Sequence, residues 1–136
     1  MTLGSLFDGI AGFPLAAERQ GIKTIWTSEI EANCTDIAKR HFPDAENLGD
    51  ITKINGGNIP AVDIISFGSP CQDLSVAGEQ KGLDGARSGL FMEAVRIVRE
   101  MRKKTNGQYP KYIIWENVAG AFSSNKGEDF RRVLEE

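Results

Sequence analysis

Short apolar runs of strand length recur along this chain and alternate with segments in which apolar residues return every three or four positions. The apolar runs span residues 2–7, 24–29, 61–67 and 112–116, and a shorter run spans 48–52. Such runs, bounded by glycine, proline and polar residues, predict β-strands.

Helical periodicity fills the intervals between these runs. A first helix is predicted from Pro14, which a first helical turn tolerates, to a stop at Gly21. A second spans 32–41 and ends before Pro43, a third begins at residue 88, and a last one begins near 127–129. The third has the clearest apolar stripe, which consists of Leu90, Phe91, Ala94, Val95, Val98 and Met101. The alternation predicts an α/β fold in one domain, with a mostly parallel sheet, right-handed crossovers and flanking helices.

Most of the chemically informative residues follow directly after predicted strands. A glycine loop at 7–13 follows the first strand, and Glu29, Asp50, Cys71 and Glu116 lie at or just after the ends of later strands. Because ligands bind along the carboxyl edge of open parallel sheets, this placement predicts one site at that edge.

The first strand, the glycine loop and the following helix are typical of a nucleotide-binding βαβ unit. Glu29 lies about twenty residues beyond the loop, where such folds place a carboxylate that binds two ribose hydroxyls. However, the loop has only Gly9 and Gly12, and Asp8 would repel a pyrophosphate, so a dinucleotide is disfavoured. Asp50 is interpreted either as another acid at a strand end or, equally well from its local sequence, as the cap of a helix or turn.

Cys71 follows Pro70 on a tight turn after an apolar strand, and both a structural and a nucleophilic role fit it locally. Its place on the same edge as the loop and the acids favours the nucleophile. With no candidate histidine base, papain-like hydrolysis is disfavoured, and addition of a thiolate to an electron-poor carbon is favoured. Cys34 and His41 are interpreted as core or boundary residues of the second helix.

Composition narrows the class of protein. The 136 residues contain two cysteines and one histidine and carry a formal charge of −3, so neither a disulfide framework nor a structural zinc site is expected. The absence of a long apolar run or a signal sequence predicts a cytosolic protein without a membrane span. The acidic balance does not by itself suggest nucleic acid. A basic group on the third helix is interpreted as a solvated helix face; it comprises Arg96, Arg99, Arg102, Lys103 and Lys104.

Five segments, in order, resemble the motifs of the DNA (cytosine-5) methyltransferase family. The segments are Phe7-Asp8-Gly9-Ile10-Ala11-Gly12-Phe13, Glu29, Gly49-Asp50-Ile51-Thr52, Pro70-Cys71-Gln72 and Glu116-Asn117-Val118. The resemblance covers nearly the whole chain and implies the Rossmann-like fold of S-adenosylmethionine-dependent methyltransferases. It also implies a prokaryotic or phage enzyme of the restriction-modification type.

By this resemblance, the cofactor is S-adenosylmethionine and the substrate is double-stranded DNA with a flipped-out cytosine. Cys71 would attack C6 of the cytosine, and Glu116 would contact N3 and the exocyclic amine. The implied DNA or substrate contacts are Gln72, Ser75, Arg87, Asn117 and Val118. The implied cofactor contacts are Phe7, Asp8, Gly9, Ile10, Gly12, Phe13, Glu29, Ile30, Asp50, Ile51, Gly68, Pro70 and Leu90.

The chain departs from the family in two respects. Ile30 stands where the family usually has an aromatic residue that stacks on adenine, so weaker adenosine binding is expected. The chain also stops before the family's later catalytic motif, its target-recognition domain and its last cofactor motif. We therefore expect an incomplete catalytic core that is inactive alone, with a C-terminal complementing chain as one way to complete it. An S-adenosylmethionine-binding module and an NAD-dependent oxidoreductase are the two alternatives.

Overall fold

Five parallel strands form the sheet in the computed structural model, which describes residues 1–68 and 88–117 and the single residues Arg131 and Glu135. The strands run in the order β3-β2-β1-β4-β5. They are β1 (Thr2–Leu6), β2 (Lys23–Ser28), β3 (Glu46–Asn47), β4 (Ile64–Phe67) and β5 (Tyr112–Trp115). The helices are α1 (Gly12–Glu18), α2 (Ala32–His41) and α3 (Ser88–Lys104), with a 3₁₀ turn at Ile51–Lys53. The predicted α/β class and mostly parallel sheet are confirmed.

The strand register brings the carboxyl ends of four strands into line. Leu6 of β1 pairs with Ser28 of β2 and with Phe67 of β4, and Phe67 pairs with Trp115 of β5. The segments that begin at Phe7, Glu29, Gly68 and Glu116 therefore leave the sheet at one edge.

The main core lies between the sheet and α3. Trp26, Leu6 and Ile65 are fully buried in one cluster with residues of α3, including Ile97 and Met101. Phe67, Phe91 and Trp115 add an aromatic group to this cluster, with ring centroids 5.0–6.5 Å apart. The α3 stripe is confirmed for most of its predicted members. Ile97 was missed, although its spacing fits the same face.

The second helix differs from its prediction. The helical spacing of Cys34, Ile37, Ala38, His41 and Phe42 predicts one apolar face. Only Ala38 is buried, whereas Ile37 and His41 are exposed and Cys34 and Phe42 are partly buried. The reason is the shortness of β3, whose two residues offer α2 little sheet to cover.

The segment around Asp50 also differs from its prediction. No strand forms over the predicted range 48–52. The strand in this segment, β3, consists of the two preceding residues Glu46–Asn47, and the chain enters the 3₁₀ turn after it. Asp50 caps this turn through its side chain, so its local interpretation as a cap is confirmed.

Arg96 is not part of a solvated helix face. It forms ion pairs with Glu93 and Glu100 and donates hydrogen bonds to the carbonyl oxygens of Ile51 (3.0 Å) and Ile54 (2.8 Å). These bonds attach the 3₁₀ turn to α3, because one side chain of α3 donates to carbonyls at both ends of the turn.

Within the described residues, no helix is both long and apolar enough to cross a membrane. The same residues contain no group of three histidine, cysteine, aspartate or glutamate side chains that could hold a metal ion.

The approach of Trp26 to Gly4 yields a stability prediction. A Cβ atom on Gly4 would lie 2.1 Å from Cζ2 of Trp26, whose side chain is fully buried. We expect Gly4→Ala to lower the free energy of unfolding by about 2–4 kcal/mol, because the indole cannot move without disrupting the core. Urea unfolding followed by circular dichroism measures this change.

Gly89→Ala is the matched control, since a Cβ on Gly89 in α3 would have no neighbour within 4 Å. It should be neutral or stabilising by up to ~1 kcal/mol through helix propensity. Equal losses in the two variants would contradict the steric argument.

Candidate cofactor and catalytic site

A tight turn connects β1 to α1 and forms one wall of the site. Phe7 and Ala11 have positive φ angles of 53° and 68°, which side chains with a Cβ rarely adopt. Two backbone hydrogen bonds maintain the turn, from the Asp8 amide to Ser28 O (3.2 Å) and from the Ala11 amide to Asp8 O (3.1 Å). The turn is thus joined to the end of β2, where Glu29 follows.

The Glu29 carboxylate accepts three backbone hydrogen bonds. Its Oε2 accepts one from the Gly9 amide at 2.8 Å, and its Oε1 accepts from the amides of Ile30 (2.8 Å) and Glu31 (2.9 Å). It therefore connects the glycine loop to the start of α2. A carboxylate has about four lone-pair positions, so one further donor, such as a hydroxyl, still has an acceptor there.

A cavity of about 320 Å³ opens at this edge of the sheet. The predicted site residues that line it are Phe7, Glu29, Ile30, Asp50, Ile51, Gly68 and Leu90. Ser28, Glu31 and Gly49 also line it and were missed, although each lies next to a predicted residue. The cavity thus joins the ends of β1, β2 and β4 to the 3₁₀ turn and the start of α3.

Other predicted residues of the glycine loop lie elsewhere. Ile10 is 66% exposed, and Phe13 packs against the smaller core cluster formed by α1 with β1 and β4. Asp8 is buried, with its Oδ1 accepting a 2.5 Å hydrogen bond from Ser5. Gly9 contributes its backbone amide to Glu29, and Gly12 begins α1.

Asp50 faces the cavity while acting as a cap. Its Oδ1 accepts hydrogen bonds from the Thr52 amide (3.0 Å) and the Thr52 hydroxyl (2.8 Å), and these bonds lower the pKa of its carboxyl. Its Oδ2 lies 3.9 Å from the Lys53 ammonium. One carboxylate oxygen is therefore occupied by the cap, and the other is less constrained.

Glu116 lies at the far end of the same edge and meets the cavity at Gly68. Its amide donates to Phe67 O at 2.9 Å, and its Oε2 lies 2.7 Å from the point where a Cβ on Gly68 would be. Glycine at position 68 therefore gives the carboxylate room beside the strand end. Asn117 follows and is partly buried.

The electrostatics of the cavity disfavour an anionic ligand. Glu29, Glu31 and Asp50 contribute acidic side chains, and none of the described residues that line the cavity is basic. The remaining lining is largely apolar, from Phe7, Ile30, Ile51 and Leu90. Such a site suits a ligand with hydroxyl groups, an apolar ring and a positive charge, and it repels a pyrophosphate.

Six of the predicted site residues lie outside the described part of the chain. They are Pro70, Cys71, Gln72, Ser75, Arg87 and Val118.

A parallel sheet with a cavity at its carboxyl edge is the arrangement in which open α/β domains bind their ligands. The chain belongs to the C-5 cytosine-specific DNA methylase family, whose model matches residues 1–136.

Two relatives show how far this similarity extends. The type II methyltransferase M.HhaI of Haemophilus parahaemolyticus is 36% identical over 128 residues, which is 94% of this chain and 37% of that protein. A protein of Escherichia phage P1 named DNA N-6-adenine-methyltransferase is 35% identical over 127 residues, covering 89% of this chain and 17% of its own length. The chain therefore spans well under two thirds of either relative.

A solved structure supports the fold. The crystal structure of S. pombe Dnmt2 methyltransferase superposes with a TM-score of 0.70 and 21% identity, over 99% of this chain and 41% of that one. At this identity the likeness concerns the fold alone.

The buried Asp8 predicts a dependence of stability on pH. Burial is the largest cause that raises its pKa, to about 6, and the nearby Glu29 charge adds to it, whereas the Ser5 hydrogen bond acts in the opposite direction. The fold thus binds the proton more tightly than the unfolded chain does. The resulting stabilisation is complete below about pH 3.8 and is lost as the pH rises through about 6.

We expect Asp8→Asn to become more stable relative to the wild type as the pH rises, because asparagine carries no charge. Between pH 4 and pH 7 the difference between the two free energies of unfolding should change by roughly 1–3 kcal/mol in favour of the variant. Urea unfolding at several pH values measures this difference. The matched control is Asp36→Asn, on the exposed surface of α2. A difference for Asp8→Asn that does not change with pH would contradict the argument.

Proposed function

We propose that this chain is the cofactor-binding and catalytic core of a DNA (cytosine-5) methyltransferase. The observation that carries the proposal is the shared edge at Gly68, which lines the acidic cavity on one side and contacts Glu116 on the other. A cofactor site and a candidate catalytic carboxylate thus meet at one residue, directly before the segment that contains Cys71.

The cavity fits S-adenosylmethionine. When bound, this cofactor supplies an activated methyl group on a positively charged sulfur. Glu29 would accept a hydrogen bond from a ribose hydroxyl with its remaining acceptor position, Asp50 would bind the adenine amine, and Ile30 and Ile51 would contact the apolar ring. The excess of acids suits a cation, and it weighs against the NAD-dependent alternative because that cofactor carries a pyrophosphate.

The chemistry assigned to the chain is a nucleophilic addition followed by elimination. The Cys71 thiolate adds to C6 of a flipped-out cytosine, and Glu116 shares a proton with N3, which makes C6 more electrophilic. The electron pair that reaches C5 would form the new bond to the methyl group while the bond between that methyl group and the sulfonium sulfur breaks, so that S-adenosylhomocysteine would leave with the sulfur's electron pair. Loss of the C5 proton then restores the double bond and expels the Cys71 thiolate.

Turnover is expected to need further parts of a methyltransferase, because the chain spans about a third of M.HhaI. These parts could belong to one longer polypeptide or to a complementing chain. The edge strand β5 supports this, since Tyr112, Ile113 and Ile114 are 58%, 53% and 47% exposed. Among the described strands β5 lies at the edge of the sheet, and consecutive exposed apolar residues in such a strand are typical of one that another segment covers. By the same proposal, the protein acts on DNA in the cytoplasm of a bacterial or phage-infected cell.

Covalent trapping tests the nucleophile. In a chimera, residues 1–136 replace the matching part of M.HhaI, and duplex DNA carries 5-fluorocytosine at the target base. We expect a denaturant-resistant complex that Cys71→Ser abolishes, because fluorine at C5 blocks the elimination step. Cys34→Ser is the matched control and should retain trapping, since Cys34 lies in α2, away from the cavity.

Trapping that persists in Cys71→Ser would overturn the assignment. Digestion of DNA methylated by the chimera then distinguishes 5-methylcytosine from N6-methyladenine, the product suggested by the name of the phage P1 relative. Turnover by the 136-residue chain alone would contradict the expectation that further parts are needed.

Calorimetry tests the cofactor with this chain alone. We expect S-adenosylhomocysteine to bind and NAD not to bind. Ile30 lines the cavity and is 71% exposed, so Ile30→Trp should tighten S-adenosylhomocysteine binding about three- to tenfold by adding a ring that stacks on adenine. Ile37→Trp, on the exposed surface of α2, is the control and should leave the affinity unchanged. Binding of NAD in place of S-adenosylhomocysteine would favour the oxidoreductase.

A further inference from the structure

Asn47, which no motif marks, forms side-chain hydrogen bonds to the main chain of Glu29 and to that of Gly49, which directly precedes Asp50. It is the last residue of β3 and pairs with Thr27 of β2. The ladder continues for one more bond, from the Leu48 amide to Thr27 O at 2.8 Å. Beyond this point the strand stops, and the backbone turns away through Gly49, whose φ is +71°.

The Asn47 side chain then takes the place of the missing strand. Its Oδ1 accepts from the Glu29 amide at 3.2 Å, and its Nδ2 donates to the Glu29 carbonyl at 3.2 Å. A carboxamide presents one acceptor and one donor, as a peptide group does, so it pairs with both backbone groups of Glu29. Glu29 thereby remains in register although β3 has ended.

The same side chain also fixes the segment that leads to Asp50. Oδ1 of Asn47 accepts a second hydrogen bond from the Gly49 amide at 3.1 Å, while the Ser28 hydroxyl donates to the Gly49 carbonyl at 2.7 Å. Both backbone groups of Gly49 are therefore bound to side chains at the ends of β2 and β3. These bonds connect the main chain at Glu29 to the main chain directly before Asp50.

We propose that Asn47 is a positioning residue of the cofactor site. Its side chain holds the main chain of Glu29, and the Glu29 carboxylate in turn holds the glycine loop at Gly9. The proposal rests on the proposed function for the identity of the cofactor. Its hydrogen-bond network joins groups of this chain only and can be measured without adding a ligand, so the two can be tested separately.

The first test uses two variants and no ligand. Asn47→Asp keeps the acceptor but replaces the donor to Glu29 O with a carboxylate oxygen, which repels that carbonyl. Asn47→Ala loses all three bonds. In NMR spectra of both variants, we expect the Gly9, Ile30 and Glu31 amides to shift. In Asn47→Ala, the Glu29 and Gly49 amides should also exchange about tenfold faster, because that variant removes the acceptor that protects them, whereas Asn47→Asp keeps it. Spectra in which only residue 47 and its chain neighbours change would overturn the proposal.

The second test measures S-adenosylhomocysteine affinity by calorimetry well below the melting temperature. We expect the affinity of both variants for S-adenosylhomocysteine to fall about tenfold even though the variants are fully folded, since the acids would no longer be held in place for the ligand. Asn33→Asp, which adds the same charge on the exposed surface of α2, is the matched control and should bind as the wild type does. A lower melting temperature with unchanged affinity would show that Asn47 serves stability alone and would overturn the positioning role.

If the wild-type chain does not bind S-adenosylhomocysteine, the cofactor assignment fails, and the amide measurements alone decide the network. If the wild type binds and the Asn47 variants bind equally well, the cofactor assignment stands and the positioning role fails.

Discussion

The parallel pairing of β1 with both β2 and β4 is the constraint on which the site depends. Because Leu6 is in register with Ser28 and Phe67, the three segments that follow leave the sheet together. The burial of Trp26 over Gly4 supports this arrangement, since it closes the core beneath β1 and β2. Packing in the core thus fixes the ends of these strands, and the segments that follow them line the cavity.

At that edge, backbone amides are organised by carboxylates. Glu29 accepts from three amides and Asp50 from one, so each acid stabilises a turn at the same time as it faces the cavity. These two functions are compatible, because a carboxylate has more acceptor positions than one turn requires. Asp50 can therefore act as a cap and also as a ligand-binding acid, since the cap occupies Oδ1 and Oδ2 is constrained only by Lys53 at 3.9 Å.

Asp8 shows the cost of placing an acid in such a turn. Its carboxyl is buried beside a second acid, with one oxygen bonded to Ser5, and its pKa rises as a result. A site that concentrates negative charge near a strained turn is less stable at neutral pH than its packing alone would allow. The same charge favours a cationic ligand, so the property that weakens the fold also contributes to selectivity.

Much of this protein follows from local pattern. Strand-length apolar runs, the stripe of α3 and the stop signals at Gly21 and Pro43 depend on neighbouring residues only, so the α/β class and most elements are readable from the sequence. The motifs at the glycine loop, Glu29 and Asp50 identify the family for the same reason.

Tertiary structure decided the rest. The exposure of α2 depends on how short β3 is, the role of Arg96 depends on carbonyls more than forty residues away, and Asn47 gains its partners only where two strands end side by side. Contacts of this kind leave no periodic signal, because they depend on the distance between chain segments in space and not along the sequence.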